Sequence, residues 1–158
     1  MIRHWSQRTG IALLALGVLL GAAGCGDWGL ETDRLREIDR NRELWERQSM
    51  ESYRYAVERV CFCGLAGPVR VTVVDSAVSQ RIFVQSGDPV PDQQADWYPT
   101  VEGLFSILFD AVQRNAHDIE VTYDPDTGVP LDIFIDYEQN LADEELGFRV
   151  LEVPGPVT

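Results

Sequence analysis

Apolar residues recur at helical spacing in the middle of the chain, over residues 100–113. Val101, Leu104 and Leu108 fall on one stripe, and neighbouring apolar residues widen it, which predicts a helix largely covered by a sheet or a second helix. Thr100 is a good N-cap because its hydroxyl can accept a hydrogen bond from the first helical turn. We expect this central helix to end near residues 115–116 and to separate two similar halves.

Each half combines one helical pattern with three alternating patterns. In the first half, a charged amphipathic pattern over residues 31–50 predicts a surface helix. Alternation of apolar and polar residues predicts strands at residues 52–61, 69–74, 81–85, 119–123, 131–137 and 146–153. The sequence Asp124-Pro125-Asp126-Thr127-Gly128 is typical of a hairpin loop in which the glycine takes a positive φ.

The predicted order of elements is α-β-β-β-α-β-β-β. Six antiparallel strands with helices on one face form an economical α+β fold for a chain of this length. We therefore predict a single α+β domain over residues 34–158. Residues 87–97 are polar and contain prolines, which indicates a connection between the halves that is long enough to be mobile.

The first 24 residues differ in composition from those that follow. Arg3 and Arg8 precede an apolar run over residues 11–20, which is too short to span a bilayer. Ala22-Ala23-Gly24-Cys25 then has the form of a bacterial lipobox. Residues 1–24 are predicted to be a lipoprotein signal peptide, and residues 25–33 a lipidated tether.

Resemblance to the lipoprotein class supplies the chemistry expected at Cys25. The thiol would receive a diacylglyceryl group, cleavage would follow Gly24, and the new amine would be acylated. Several acyl chains make a stable membrane anchor, whereas one chain would be marginal. The alternative is an ordinary secretory signal peptide that is cut near the same place and leaves Cys25 free.

Acidic residues outnumber basic residues two to one, with 26 Asp+Glu against 13 Lys+Arg. The predicted signal peptide contains two of the basic residues and no acidic residue, so the mature chain has 11 against 26 and a formal net charge of −15. This charge argues against nucleic acid as a partner and against adhesion to anionic lipid headgroups. An acidic surface also promotes solubility, so the charge does not identify a partner.

Cys61 and Cys63 are the cysteines that remain once Cys25 is lipidated. Outside the cytoplasm such a pair predicts a disulfide. The spacing requires local distortion, and a strained bridge is easier to reduce. Three interpretations stay open: a structural bridge, a redox-active pair, and thiols that are free or bind a metal.

The mature chain offers few residues for catalysis or metal binding. His117 is its only histidine, and its place after the central helix is more typical of an exposed residue than of a ligand. Asp124 and Asp126 have the spacing of the first calcium ligands, but the sixth-position glycine and twelfth-position glutamate are absent. A zinc site would need more ligands, and no G-x-S-x-G motif occurs. The sequence therefore predicts no enzyme, no metal site and no cofactor.

The strand at residues 131–137 places two kinds of side chain on opposite faces. Ile133 and Ile135 belong to the core face, whereas Asp132, Phe134 and Asp136 face away from the helices. Two carboxylates on one face can perform acid–base chemistry, but a solvated strand face explains them more simply. An aromatic residue on an open face is typical of a protein contact, so we predict that these three residues form a partner surface.

Several short motifs occur in a fixed order between Trp45 and Val153. They are Trp45, Tyr53-Arg54-Tyr55, Cys61-Phe62-Cys63, Tyr98-Pro99-Thr100-Val101-Glu102-Gly103-Leu104-Phe105, Val121-Thr122-Tyr123-Asp124, Gly128-Val129-Pro130 and Asp143-Glu144-Glu145. In this set the chain resembles the bacterial domain of unknown function 6174, which is often found on lipoproteins. Val129 departs from the aromatic residue expected between the glycine and the proline. The resemblance implies no activity.

We therefore predict a lipid-anchored, non-enzymatic domain of the cell envelope, held outside the cytoplasm by the lipid on Cys25. Its expected partner is another envelope protein. Two alternatives remain: a thiol-redox protein of the envelope that uses Cys61 and Cys63, and a small-ligand binder with a pocket between the central helix and the sheet.

Overall fold

The elements follow the order that the sequence predicts. The computed structural model describes residues 27–61, 67–139 and 145–157. Helix α1 spans Asp27–Arg47, and helix α2 spans Val101–Gln113. The strands are β1 (Tyr53–Val60), β2 (Val69–Val74), β3 (Ala77–Phe83), β4 (Asp118–Tyr123), β5 (Pro130–Asp136) and β6 (Leu146–Pro156). None of the helices in these ranges is both long and apolar enough to span a membrane.

All six strands form one antiparallel sheet in the order β3-β2-β1-β6-β5-β4. The predicted α+β class is therefore confirmed, and β1 and β6 join the two halves at the centre. The halves are not copies of one another. The strand that follows α1 lies at the centre of the sheet, whereas the strand that follows α2 lies at its edge, so the similarity is limited to the order of elements.

Two predicted elements begin four residues too late: α1, expected at residues 31–50, spans Asp27–Arg47 and so includes much of the predicted tether of residues 25–33, and β3, expected at residues 81–85, begins at Ala77. The loop before it is only two residues long, because Val74 pairs with Ala77. Asp75 and Ser76 fill it with φ values of 50° and 61°. A two-residue hairpin with two positive φ values usually carries glycine at its second position, and Ser76 in that place concealed how short the turn is.

The connection over residues 87–97 is held against the edge of the sheet. The Phe83 N–H donates to the Asp88 carbonyl over 2.9 Å, and the Val90 N–H donates to the Arg81 carbonyl over 3.0 Å. A 3-10 helix, Asp92–Trp97, then leads to α2. These contacts attach the segment to β3 and fix where α2 begins.

One apolar core joins both helices to the sheet. Val101, Leu104 and Leu108 of α2 are fully buried, as their spacing predicts. They pack in a cluster with residues of α1, β1, β2, β5 and β6. Burial of this apolar surface is the main source of stability for the fold.

Candidate functional site

The start of α2 is held by its own residues and by the residue before its cap. The Thr100 hydroxyl accepts a hydrogen bond from the Gly103 N–H over 3.1 Å, which confirms the predicted N-cap. A Cβ added at Gly103 would lie 2.8 Å from the Pro99 Cβ. The proline ring therefore explains why a glycine occupies the first turn of this helix.

Glu102 links three elements through its carboxylate, and we call Trp45, Tyr53 and Glu102 the Glu102 junction. The Trp45 indole N–H of α1 donates to Glu102 Oε1, and the Tyr53 hydroxyl of β1 donates to Glu102 Oε2, each over 2.7 Å. The two rings meet edge to face with their centroids 5.1 Å apart. Hydrogen bonds to an ionised acceptor are stronger than neutral ones, so the junction fixes α1, β1 and α2 together.

The Tyr53 hydroxyl makes a second hydrogen bond besides the one to Glu102. It also accepts a hydrogen bond from the Val101 N–H over 3.1 Å, which satisfies a buried donor in the first turn of α2. Burial, followed by the bond to Glu102, raises the pKa of Tyr53 far above its ordinary value. Burial also raises the pKa of Tyr55, whose hydroxyl donates to the Pro99 carbonyl. Both phenols therefore stay protonated even at a pH where an ordinary tyrosine begins to ionise, and they act as structural donors.

The three residues predicted as a partner surface lie on β5 as expected, in different environments. Asp132 is exposed and pairs with Arg149 of β6 over 3.1 Å. Phe134 is half-buried, and in the sheet register it lies between Glu120 and Gly147. The charge of Asp132 is thus already compensated, and Phe134 is the apolar member of this surface.

Asp136 lies directly opposite Asp118 of β4. Like charges in opposed positions are destabilising in a sheet. Arg34 of α1 approaches Asp118 to 3.4 Å and offsets part of this repulsion. Asp118 Oδ1 also accepts from the Ile119 N–H over 2.8 Å. This end of β5 is consequently connected to α1 through β4.

The second half of β6 forms an unpaired strand edge that sequence reasoning missed. Among the described residues, β5 pairs with β6 only from Leu146 to Arg149, whereas β1 pairs with β6 as far as Pro156. Leu151 and Val153 are 50% and 55% exposed on this stretch. We call residues 150–156 the β6 edge. An apolar run close to the end of the chain was the available signal, but alternation alone does not reveal which strands have neighbours.

The hairpin between β4 and β5 is a structural turn, as predicted. Asp124 Oδ1 accepts from the backbone N–H groups of Asp126 and Thr127 and from the Thr127 hydroxyl, over 2.8 to 3.0 Å. These bonds, with the Thr127 backbone first, hold the pKa of Asp124 below its ordinary value. Gly128 takes φ +76°. In the described ranges, three or more His, Cys, Asp or Glu side chains do not gather as a metal site would require.

The predicted cysteine site is described only in part. Cys61 directly follows β1, is half-exposed and has an interaction partner. Cys63 and the predicted lipidation residue, Cys25, lie outside the described residues. The bridge and the lipid therefore stay predictions. His117 is exposed after α2, as expected.

Comparison with known proteins places the chain in a family without assigning an activity. A family model described as "Family of unknown function (DUF6174)" matches residues 37–154, and the chain belongs to this family. No curated protein and no solved structure matches the chain. The matched range includes the Glu102 junction and most of the β6 edge.

Proposed function

We propose that this member of the DUF6174 family is a lipid-anchored, non-enzymatic domain of the cell envelope that binds another protein through the β6 edge. The observation that carries the proposal is the combination of an unpaired strand edge with exposed apolar side chains at Leu151 and Val153. Such an edge can accept a strand from a second chain over residues 150–153, before Pro154 and Pro156, which lack the N–H that a strand ladder needs. Backbone hydrogen bonds provide affinity in this binding mode, and alternate side chains provide specificity.

We also propose that both helices cover one face of the sheet and leave the other open to the partner. Ile38 and Trp45 of α1 and Leu104 of α2 share one core with buried residues of the sheet. Asp132 and Arg149 are half-exposed at the surface. Phe134, Asp132 and Asp136 then extend the contact area, because Arg149 is next to the β6 edge and opposite Asp132.

Site-specific photo-crosslinking in intact cells tests the binding surface. The photoreactive residue is placed at Val153, at Phe134, or at the control position Ser106, which is exposed on α2. We expect one adduct of the same mass from Val153 and Phe134, and its absence from Ser106. Adducts from all three positions, or from Ser106 alone, would contradict the proposed surface.

The anchor is supported by the lipobox pattern at residues 22–25 and by the charged and apolar segments before it. Intact-mass measurement of the protein extracted from membranes tests it. We expect a mature chain that begins at Cys25 and carries acyl chains, and a Cys25→Ser variant without them that leaves the membrane fraction. A wild-type chain without lipid would refute the anchor.

The bridge between Cys61 and Cys63 is proposed as structural, with thiol-redox activity as the alternative. Purified protein is alkylated without reductant and analysed by mass spectrometry. If the bridge is present, Cys61 and Cys63 should carry no alkyl group. Titration of the bridge against glutathione separates the two roles, because structural bridges resist that buffer. A bridge that exchanges readily in the glutathione range would favour the redox role.

A further inference from the structure

We propose that the acylated Cys25 holds the end of the domain where α1 begins and α2 ends against the lipid surface. The opposite end, which includes the β4–β5 hairpin, then points away from the membrane. The inference rests on the lipid anchor proposed above. It adds to that proposal an orientation and the identity of the surface that a partner can reach.

The first argument is the length of chain between the lipid and the helix. α1 begins at Asp27, two residues after Cys25. Consecutive Cα atoms are 3.8 Å apart, so the acylated residue lies within about 8 Å of the first helical residue. A linker this short leaves the domain little freedom to turn its other end towards the lipid.

The second argument is the attachment of α1 to the rest of the fold. Arg34 contacts Asp118 at the start of β4, and Ile38 and Trp45 are each 3% exposed in the core. Near the other end of the helix, a Cβ added at Gly128 would overlap the Asn41 carbonyl oxygen, so the hairpin lies directly on α1. α1 is therefore part of the body, and its direction sets the orientation of the whole domain.

The distances along α1 assign the two ends. At 1.5 Å per residue, Arg34 lies about 10 Å from the start of the helix. Gln48 follows α1, and its side-chain amide donates to the Asp126 carbonyl in the hairpin over 3.3 Å. Asn41, beside Gly128, and Gln48, beside Asp126, follow Arg34 by seven and fourteen residues, so the hairpin lies about 10–20 Å farther along α1 from the acylated end than Asp118 does.

The same geometry places the end of β6 away from the membrane. Pro156 pairs with Tyr53, and the Tyr53 ring contacts Trp45 near the C-terminal end of α1. The β6 edge thus runs towards the end of the domain that is open to other proteins. At the membrane end, Asp118 lies opposite Asp136, and the nearby cations Arg34 and Arg114 pair with Asp118 and Asp110, so these residues offer no net positive charge to anionic headgroups. The acyl chains rather than protein charge hold the domain there.

Fluorescence quenching in vesicles tests the orientation. The full acylated chain is reconstituted in vesicles of phosphatidylethanolamine and phosphatidylglycerol that contain a lipid with a headgroup quencher. A fluorescent amino acid replaces either His117, at the membrane end, or Asp126, in the hairpin, and both positions are exposed. We expect strong quenching at 117 and its loss at 126, because the quencher acts only over short distances.

A matched variant isolates the short linker. Insertion of a flexible Gly/Ser segment after Gly26 keeps the anchor and the fold but should reduce the difference between the two positions. Equal quenching in the unmodified chain, or stronger quenching at 126, overturns the orientation while the anchor stands. A chain that does not float with the vesicles overturns the anchor and the orientation together, so the two failures are distinguishable.

Discussion

The Glu102 junction and the β6 edge use the same central strands in opposite ways. At the junction, Tyr53 is 1% exposed, and its hydroxyl donates a hydrogen bond to Glu102 and accepts one from the Val101 N–H. At the edge, Leu151 and Val153 are 50% and 55% exposed, and among the described residues β5 does not pair with this part of β6. At the junction the Trp45 and Tyr53 donors are used internally, although Glu102 itself is exposed, whereas the edge leaves apolar side chains available to the proposed partner. Substitutions should accordingly affect stability at the first region and association at the second.

The largest expected loss of stability is at the hairpin that packs on α1, beside the junction. In Gly128→Ala the new Cβ would lie 2.7 Å from the Leu44 Cβ and would overlap the Asn41 carbonyl. Positive φ costs about 1–2 kcal/mol for alanine, and overpacking adds about 1–3 kcal/mol. Chemical denaturation measures the change. Gly87→Ala is the matched control, since Gly87 has the same φ of +76° and no atom within 4 Å. Equal losses in the two variants would show that α1 does not pack on the hairpin.

The second prediction removes one hydrogen bond donor from the junction. Tyr53→Phe leaves Glu102 Oε2 without its 2.7 Å partner and leaves the Val101 N–H unsatisfied. We expect a loss of about 1–3 kcal/mol in the free energy of unfolding. Tyr98→Phe is the control, because the Tyr98 hydroxyl reaches the Gly67 carbonyl only at 3.5 Å, and so long a hydrogen bond should contribute about 0.5 kcal/mol at most. If Tyr53→Phe proved as stable as Tyr98→Phe, the hydrogen bonds of the Glu102 junction would not contribute to stability as proposed.

The third prediction concerns the acid side of the stability profile. The folded pKa of Asp124 lies below its unfolded value, so its contribution is present above the ordinary pKa and is lost as the pH falls through the folded value. Thr127→Val removes the hydroxyl bond and should raise the pKa of Asp124, with a loss of about 0.5–1 kcal/mol at neutral pH. Carboxyl NMR titration measures the shift. Thr127→Ser retains the hydroxyl and should keep the low pKa; a similar rise in both variants would exclude the hydroxyl as its cause.

The smallest expected change in stability is at the β6 edge. Leu151→Ser and Val153→Ser should each change the free energy of unfolding by less than about 0.5 kcal/mol, because both side chains are already exposed. The adduct formed from the photoreactive residue at position 134 should nevertheless disappear in both variants. Val74→Ser on β2, at a valine that is 38% exposed, is the matched control and should retain the adduct. Loss of the adduct in all three variants, or in none, would contradict a role for the edge.

The sequence by itself determined the order of elements and much of the local structure. The stripe of Val101, Leu104 and Leu108, the Thr100 cap and the positive φ at Gly128 follow from helical spacing, hydrogen bonding and side-chain sterics, all of which act between near neighbours. The short turn at Asp75 and Ser76 is the local exception, because Ser76 takes a positive φ where such a turn usually carries glycine.

Only the tertiary structure decided which elements meet. Trp45, Tyr53 and Glu102 are separated by up to 57 residues, and their hydrogen bonds exist because the core brings α1 and α2 together over β1. The exposed edge likewise exists because β6, antiparallel to β5, continues beyond the residues that pair with the start of β5. Periodicity specifies the face that a residue occupies within its own element. Strand neighbours and helix contacts depend instead on the summed burial of distant segments, which no short stretch of sequence contains.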